Sequence, residues 1–195
     1  MTSHRQPVWD PLVRIFHWSL MLFFCLSYWL EGDRLSLHSH AGYTVGVLVL
    51  FRVVWGFVGD IHAQFSDFVR RPSVTMVYLM SLLTGSAART VGHNPAGAAM
   101  IVCLLGSLLL TTLSGMLMFA MEGNGPLAGL SMVAYLTPVA GQVLVEVHGT
   151  MADFTLILIL VHVAGVIFTS YRYGENLTLA MFTGKKAVNS SDDGA

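Results

Sequence analysis

The sequence predicts an all-α integral membrane protein, a four-helix up-and-down bundle with a short interfacial helix in one connecting loop. Of the 195 residues, 54% are hydrophobic and only 11% are charged, whereas soluble domains carry roughly 25% charged residues. Four apolar segments each approach the ~20 residues that a transmembrane helix needs. The first two are joined by only Glu31–Ser39, and so short a connection requires antiparallel neighbours.

The four predicted helices cover residues 12–30, 40–57, 97–121 and 147–171. The length allows one membrane domain, over residues 1–186, and residues 187–195 form a polar tail that we expect to be disordered. The first apolar run contains His17 and is not closed by a small-residue cleavage site. We therefore expect the first helix to be retained rather than removed as a signal peptide.

The two longer connections contain apolar stretches of another kind. Ser73–Leu83 follows Pro72 and has eleven residues. A helix of that length is too short to cross a bilayer. An interfacial helix is the favoured interpretation, and a re-entrant segment is the alternative. Glu122–Glu146 is broken by glycine and proline, and it predicts a loop with a short surface helix.

The distribution of basic residues predicts the orientation. Of the ten Lys and Arg residues, only Arg34 lies in the two connections assigned to the outer side. The other nine belong to the opposite side: Arg5, Arg14, Arg52, Arg70, Arg71, Arg89, Arg172, Lys185 and Lys186. This asymmetry predicts a multi-pass membrane protein in contact with membrane lipid and with both termini cytoplasmic. In a Gram-negative bacterium the membrane would be the bacterial inner membrane, and the two outer connections would face the periplasm. A net charge of −1 without a basic cluster gives no indication of nucleic-acid binding.

Five histidines fall inside or close to the ends of the predicted spans: His17, His38, His40, His148 and His162. His148 and His162 are fourteen residues apart on the fourth helix, which is about 21 Å of rise and nearly four full turns. Both imidazoles therefore lie on one helical face at two depths, and histidine at such positions is costly and usually functional. The topology pairs His17 by depth with His162, and His38 with His148.

Two facing imidazoles without neighbouring Cys, Asp or Glu suit the two axial positions of a low-spin haem. Zinc would require three or four protein ligands at each site. No C-x-x-C-H sequence occurs, so covalent haem attachment is not indicated. The alternative for any single histidine is a hydrogen-bonded polar residue of the core, but four that pair by depth favour ligation.

His38 competes with His40 as the ligand on the second helix. His38 lies on a stripe with Gly42, where a flat macrocycle would need clearance, and Arg52 ends the same stripe. These features favour His38 over His40. The other three histidines are interpreted as loop residues: His4, His62 and His93.

Arg14 and Arg52 are candidates to bind haem propionates on the cytoplasmic side through charge-assisted hydrogen bonds, and Arg34 is a weaker candidate outside. Ordinary snorkelling to the interface is the alternative. Asp153 lies within the fourth span, where it could accept a proton during quinol oxidation or serve only as a hydrogen-bonded carboxyl group. The third helix lacks histidine and carries small residues, which predicts close packing.

Six sequence motifs together resemble the bacterial cytochrome b561 superfamily, and the resemblance runs from about Pro7 to Lys186. The motifs are VWDPLVRIFHW, LHSHAGY, FRVVWGFVG, GHNPAG, VEVHGTM and LVHVAGV. The chain is similar to the cytochrome b/b6 domain proteins grouped with the b-type cytochrome subunits of nickel–iron hydrogenases. Asp153 is a departure, because relatives often have Asn at that position.

The resemblance implies a four-helix protein with two non-covalent b haems and with His17, His38, His148 and His162 as ligands. It implies electron exchange between the quinone pool and a periplasmic partner, either a c-type cytochrome or a hydrogenase-like subunit. Whether the chain acts as a quinol/quinone oxidoreductase stays open. The alternatives are a superoxide:quinone oxidoreductase that acts at the outer haem, and a haem-independent membrane anchor or transporter. The acidic outer connections argue against superoxide, which is an anion.

Overall fold

The computed structural model describes residues 4–32, 34–87 and 94–188. The predictions that involve Asp33, Arg89, His93 and the tail from residue 189 lie outside the described residues, as do the side chains of His4 and His62. In chain order the elements are β1 His4–Pro7, α1 Pro11–Trp29, α2 Leu35–Val58, α3 Phe65–Phe68, α4 Pro72–Leu83, α5 Pro95–Met121, α6 Pro138–Tyr173, α7 Leu177–Thr183 and β2 Lys185–Val188.

The predicted fold class is confirmed, because α1, α2, α5 and α6 are long and apolar enough to cross a membrane. Many large apolar side chains on these helices are exposed in the protein alone, as a lipid-facing surface requires. The short helix predicted between the second and third spans is α4, and Pro72 lies in its first turn, where the missing N–H of proline costs nothing.

Helix α6 begins nine residues earlier than the predicted start at residue 147, and the loop expected at Glu122–Glu146 is correspondingly shorter. Pro138 occupies the first helical position, and the hydroxyl of Thr137 accepts a hydrogen bond from the Ala140 N–H at 3.2 Å. Gly141, which was expected to break the chain, is accommodated within the helix at a modest cost. With 36 residues, α6 is about 54 Å long and exceeds a hydrocarbon layer of about 30 Å.

A two-stranded antiparallel sheet joins the ends of the chain, and the sequence did not predict it. His4 of β1 lies opposite Val188 of β2, and the Gly184 carbonyl accepts hydrogen bonds from the N–H groups of Val8 and Trp9 at 2.9 and 3.1 Å. Gly184 has a φ of 77°, which glycine adopts readily. The pairing brings residues 4–7 next to residues 185–188, an arrangement that an even number of membrane crossings permits.

Backbone contacts divide the chain into two compact units. The first comprises Met1–His17, Arg52–Val102 and Leu160–Ala195, and the second comprises Trp18–Phe51 and Cys103–Ile159. Each of the four long helices contributes one segment to each unit. That residues 1–186 form one di-haem domain stays a prediction.

The first unit is held together by aromatic and polar contacts between distant segments. The indole N–H of Trp55 donates to Asp10 Oδ2 at 2.7 Å, and the hydroxyl of Tyr173 donates to the Ala87 carbonyl at 3.2 Å. Burial, together with the neighbouring Tyr173, raises the pKa of Tyr78 to about 12. The Tyr78 phenol therefore stays neutral at any physiological pH.

The second unit packs through small side chains. Val49 and Thr155 are fully buried, and a Cβ built on Gly46 would lie 2.6 Å from Thr112 Cγ2. The buried hydroxyl of Ser114 on α5 donates to the Leu110 carbonyl of its own helix at 2.7 Å. The approach of Gly46 on α2 to Thr112 on α5 is the close helix packing that the small residues of the third span predict.

Candidate functional site

The first unit brings His17 of α1 and His162 of α6 together. The centroids of their rings are 6.4 Å apart and the ring planes are inclined by 56°. Both side chains are partly buried. This is the pair that the sequence predicts for the cytoplasmic side.

The second unit brings His38 of α2 and His148 of α6 together. Their ring centroids are 5.9 Å apart, and the planes are close to perpendicular at 77°. The structure therefore contains both predicted pairs, one in each compact unit. Whether these histidines ligate iron stays a prediction, and the geometry can be tested against it.

Both ring separations fit two imidazoles on opposite sides of one metal ion. A metal–imidazole nitrogen bond of about 2 Å puts two trans nitrogens about 4 Å apart and the ring centroids about 6 Å apart. Within the described ranges, no cluster of three or more His, Cys, Asp or Glu side chains could hold a metal ion. A haem needs only two axial protein ligands, because its porphyrin supplies the other four, whereas a structural zinc ion needs four protein ligands.

Hydrogen bonds to backbone carbonyls set the tautomer of both histidines in the second unit. The Nδ1–H group of His38 donates to the Ser27 carbonyl at 2.9 Å, and that of His148 donates to the Thr111 carbonyl at 2.9 Å. With the proton on Nδ1, the lone pair of each neutral ring lies on Nε2 and is available to a metal. Such bonds to the second nitrogen are typical of metal-binding histidines.

Gly115 on α5 makes room for the His148 ring. A Cβ built on Gly115 would lie 2.7 Å from His148 Cε1 and 2.8 Å from its Nδ1, closer than real side chains approach. Sequence reasoning assigned Thr111 and Gly115 to helix packing and missed that both position a histidine. Their spacing of four residues puts them on one helical face, which is the signal that could have found them.

A cavity of about 360 Å³ in the second unit is lined by His38 and His148. Its size lies within the usual range for small-molecule sites. Segments of all four long helices contribute to its wall, which also includes Tyr28, Gly42 and Asp153. The second histidine pair therefore faces a space that could take a flat cofactor.

His40 occupies a different environment from His38. Its side chain is exposed, it does not line the cavity, and its Nδ1–H group donates to the Ser36 carbonyl of its own helix at 2.5 Å. In the structure His148 therefore faces His38 and not His40. His38 is also the residue that the sequence favoured.

We predict that His40→Ala leaves the haem content of the protein unchanged, whereas His38→Ala removes the haem of the second unit. The haem-to-protein ratio of the two purified variants, measured under identical expression conditions, tests this difference. Loss of haem in His40→Ala with retention in His38→Ala would exchange the roles of the two residues.

Arg52 is a buried cation in the first unit, with only 3% of its surface exposed. Its guanidinium carbon lies 5.1 Å from the ring centre of Phe65 and 5.9 Å from that of Phe68. Such cation–π contacts favour a desolvated guanidinium. Its Nη1 atom is buried without a hydrogen-bond partner among the described residues. The sequence analysis named Arg52 as a candidate to bind a haem propionate but did not predict its aromatic neighbours.

Arg14, the other arginine predicted to serve a haem propionate, has a backbone partner. Its Nη2 group donates to the Phe182 carbonyl, and a Cβ built on Gly184 would lie 2.9 Å from Arg14 Nη1. These contacts tie α1 to the segment around α7. Arg34 is exposed and does not line the cavity of the second unit.

Asp153, whose role the sequence left open, accepts a hydrogen bond from the hydroxyl of Tyr28 at 2.9 Å. Both residues line the cavity that holds His38 and His148. Sequence reasoning did not pair them, because they lie 125 residues apart on different helices.

The family model for prokaryotic cytochrome b561 matches residues 8–184. The chain belongs to the prokaryotic cytochrome b561 family. The resemblance found in the sequence is thereby confirmed at the level of the superfamily. The chain is a bacterial membrane cytochrome of the b type that acts in electron transfer within a lipid environment. No curated protein and no solved structure matches this cytochrome.

Proposed function

We propose that this cytochrome carries two non-covalent b haems and transfers electrons between the quinone pool and a periplasmic redox partner. The partner is a c-type cytochrome or a hydrogenase-like subunit. The observation that supports this function best is the pair of facing imidazoles in each compact unit, with ring separations of 6.4 and 5.9 Å. Two such pairs on a chain with four potential spans are what a transmembrane electron path requires.

The proposed ligands are His17 and His162 for the cytoplasmic haem and His38 and His148 for the outer haem. Bound haem supplies reversible one-electron chemistry, and the protein supplies ligation, orientation and burial. The hydrogen bonds from Nδ1 of His38 and His148 to backbone carbonyls leave the Nε2 lone pair of each ring as the one that a metal would take.

Arg52 is the proposed partner of a propionate of the cytoplasmic haem. It shares the first unit with His17 and His162, and its buried Nη1 atom lacks a partner among the described residues. A carboxylate at Nη1 would complete the hydrogen bonding of the guanidinium group. Arg14 remains a second candidate for the same haem.

We predict that Arg52→Leu weakens binding of the cytoplasmic haem roughly tenfold or more, because a hydrogen bond to a charged group contributes about 1.5–3 kcal/mol. Arg52→Lys keeps the charge without the planar fork and should restore binding in part. Haem retention during dilution into haem-scavenging apomyoglobin measures the change.

Arg14→Leu tests the second candidate: its Nη2 group donates to the Phe182 carbonyl, and its Nε atom is buried without a hydrogen-bond partner among the described residues. It should lower thermal stability and leave haem retention close to that of the unaltered protein. Normal haem retention in Arg52→Leu would show that Arg52 does not bind the propionate. Loss of haem in Arg14→Leu alone would assign the propionate to Arg14 instead.

The proposed orientation has both termini in the cytoplasm of a bacterium and the connection between α1 and α2 in the periplasm. Anaerobic mixing of the oxidised protein in lipid nanodiscs with a short-chain ubiquinol tests the electron path. The b-type absorption should become that of the reduced form, and addition of an oxidised c-type cytochrome should reverse it. A protein with intact haem that neither quinol reduces nor the c-type cytochrome reoxidises would contradict the proposed function.

The alternative of superoxide oxidation at the outer haem receives less support from the structure. The wall of the second unit's cavity includes Glu31 and Asp153 and, among the residues that line it, neither Lys nor Arg. This negative character would repel an anionic substrate. Rapid mixing with superoxide should therefore produce no haem reduction on the millisecond scale.

A further inference from the structure

The segment after α2 folds back onto that helix and places an aromatic ring directly against Gly56. Gly56 belongs to the FRVVWGFVG motif and is buried. A Cβ built on it would lie 2.1 Å from Phe65 Cε2 and 2.5 Å from Phe65 Cδ2, closer than real side chains approach. The Phe65 ring therefore occupies the space that a side chain at position 56 would fill.

The position of the Phe65 ring is set by contacts within this returning segment. The side-chain amide of Gln64 donates to the Gly59 carbonyl at 2.9 Å and ties the segment to the end of α2. The Phe65 ring also packs edge to face with Phe57 and Phe68, with ring centroids 5.5 and 5.7 Å apart. Such pairs prefer this arrangement, so several contacts besides Gly56 hold the ring in place.

Arg52 lies on the same face of α2 as Gly56, because the two residues are four positions apart. Its guanidinium carbon is 5.1 Å from the centre of the Phe65 ring, within the range of a cation–π contact. The ring attracts the positive charge but offers no oxygen to the N–H groups. The buried Nη1 atom accordingly has no hydrogen-bond partner among the described residues.

Asp10 is a carboxylate whose charge acts on Arg52, but other donors occupy its oxygen atoms. Its Oδ1 atom accepts a hydrogen bond from the Leu12 N–H at 2.9 Å, and its Oδ2 atom accepts one from the Trp55 indole at 2.7 Å. Within the part of the chain that the structure describes, the Arg52 cation is thus held by aromatic rings and by charge, and Nη1 is left for an acceptor that the protein does not supply.

We propose that Phe65 is a positioning residue that holds Arg52 ready for a haem propionate, and that Gly56 is needed because it admits the Phe65 ring. This inference rests on the proposed function, because it needs a haem held by His17 and His162. A long side chain loses rotamer freedom when it binds, and a ring that confines the guanidinium beforehand reduces that loss. The confined cation offsets the charge of the propionate and so favours ferrous over ferric haem.

The test combines a redox titration of the purified holoprotein with haem retention against apomyoglobin. Phe65→Leu should accelerate the loss of one haem roughly three- to thirtyfold, the range expected for a lost cation–π contact. The midpoint potential of that haem should fall by about 28 mV or more, which is a threefold change at about 59 mV for each tenfold. The affected haem should be the one that is absent from His162→Ala, and the other haem serves as an internal reference.

A substitution that keeps the shape of the ring separates positioning from packing. Trifluorophenylalanine incorporated at position 65 keeps the ring and nearly its size, but fluorine withdraws electron density from the ring face and weakens the cation–π contact. It should lower the same midpoint potential while the thermal stability stays close to that of the unaltered protein. Phe65→Tyr keeps an electron-rich ring and should retain the potential of the unaltered protein.

Two further variants test the two neighbours of the ring. Gly56→Ala should displace Phe65 and reproduce the faster haem loss and the lower potential of Phe65→Leu. Phe57→Leu is the matched control, because Phe57 packs against Phe65 but is 70% exposed and has no described contact with Arg52. It should keep the potential and the haem retention of the unaltered protein.

The outcomes separate this inference from the proposed function. A purified protein without a reducible b-type spectrum would contradict both, and normal haem retention in Arg52→Leu would remove Arg52 from the proposed site and the inference with it. Faster haem loss in Arg52→Leu, with an unchanged potential in Phe65→Leu and in the fluorinated protein, would overturn only the role of Phe65. An equal effect of Phe57→Leu would show that general packing of the segment causes the change and would also overturn it.

Discussion

His148→Ala is expected to remove one haem from the protein and to leave the other in place, and His162→Ala should remove the other one. His148 faces His38 and His162 faces His17, so each substitution takes away one of two axial ligands at a single site. The haem-to-protein ratio should fall from two to one in each variant, and the potential of the remaining haem identifies which site was lost.

The pairing itself is tested by combining substitutions. His38→Ala with His148→Ala should lose no more haem than either single variant, because both residues serve one site. His38→Ala with His162→Ala should lose both haems. A double variant at one proposed pair that loses two haems, or a single variant that loses none, would contradict the pairing.

Gly115→Leu is expected to have an effect almost as large on the outer site. Even the Cβ of alanine at this position would lie 2.7 Å from His148 Cε1, and the ring cannot turn away without losing its hydrogen bond to the Thr111 carbonyl. Overpacking of this kind costs about 1–3 kcal/mol. Gly115→Ala should therefore weaken outer haem binding by roughly ten- to hundredfold, since about 1.4 kcal/mol is tenfold, and leucine should abolish it.

Gly106 is the matched control on the same helix, because a Cβ built there meets no atom within 4 Å. Gly106→Ala should keep both haems and the retention kinetics of the unaltered protein. Equal loss of haem from Gly106→Ala and Gly115→Ala would show that helix propensity, rather than the contact with His148, causes the effect.

Much of this architecture follows from the sequence, because bilayer thickness limits the lengths of the spans and histidine is costly inside them. The four histidines could be paired from topology alone, since the alternation of the helices gives each ring a depth. The structure brings the same pairs together. Arg52 was also selected from the sequence, by its position on the stripe of His38.

Other features depend on contacts that a sequence does not display. The first helical turns of α6 were missed because Gly141 weakens the helical pattern, although Pro138 and Thr137 favour a start there. The pairing of β1 with β2 was missed because four-residue strands joined across the whole chain leave no local signal. The contact of Phe65 with Arg52 was missed because it depends on how the segment after α2 folds back onto that helix.

The support of the histidines was the least predictable part of the site. Thr111 and Gly115 look like ordinary packing residues of a membrane helix, and only the three-dimensional structure shows that they set the tautomer and position of His148. The partnership of Tyr28 and Asp153 likewise emerges only when α1 and α6 meet.

The most direct test of the account is the haem content of the purified protein, measured together with its electron paramagnetic resonance spectrum in the oxidised state. The account predicts two extractable b haems per chain and two low-spin ferric signals typical of bis-histidine ligation. A ratio of one haem or none, or a high-spin signal from a five-coordinate iron, would contradict it.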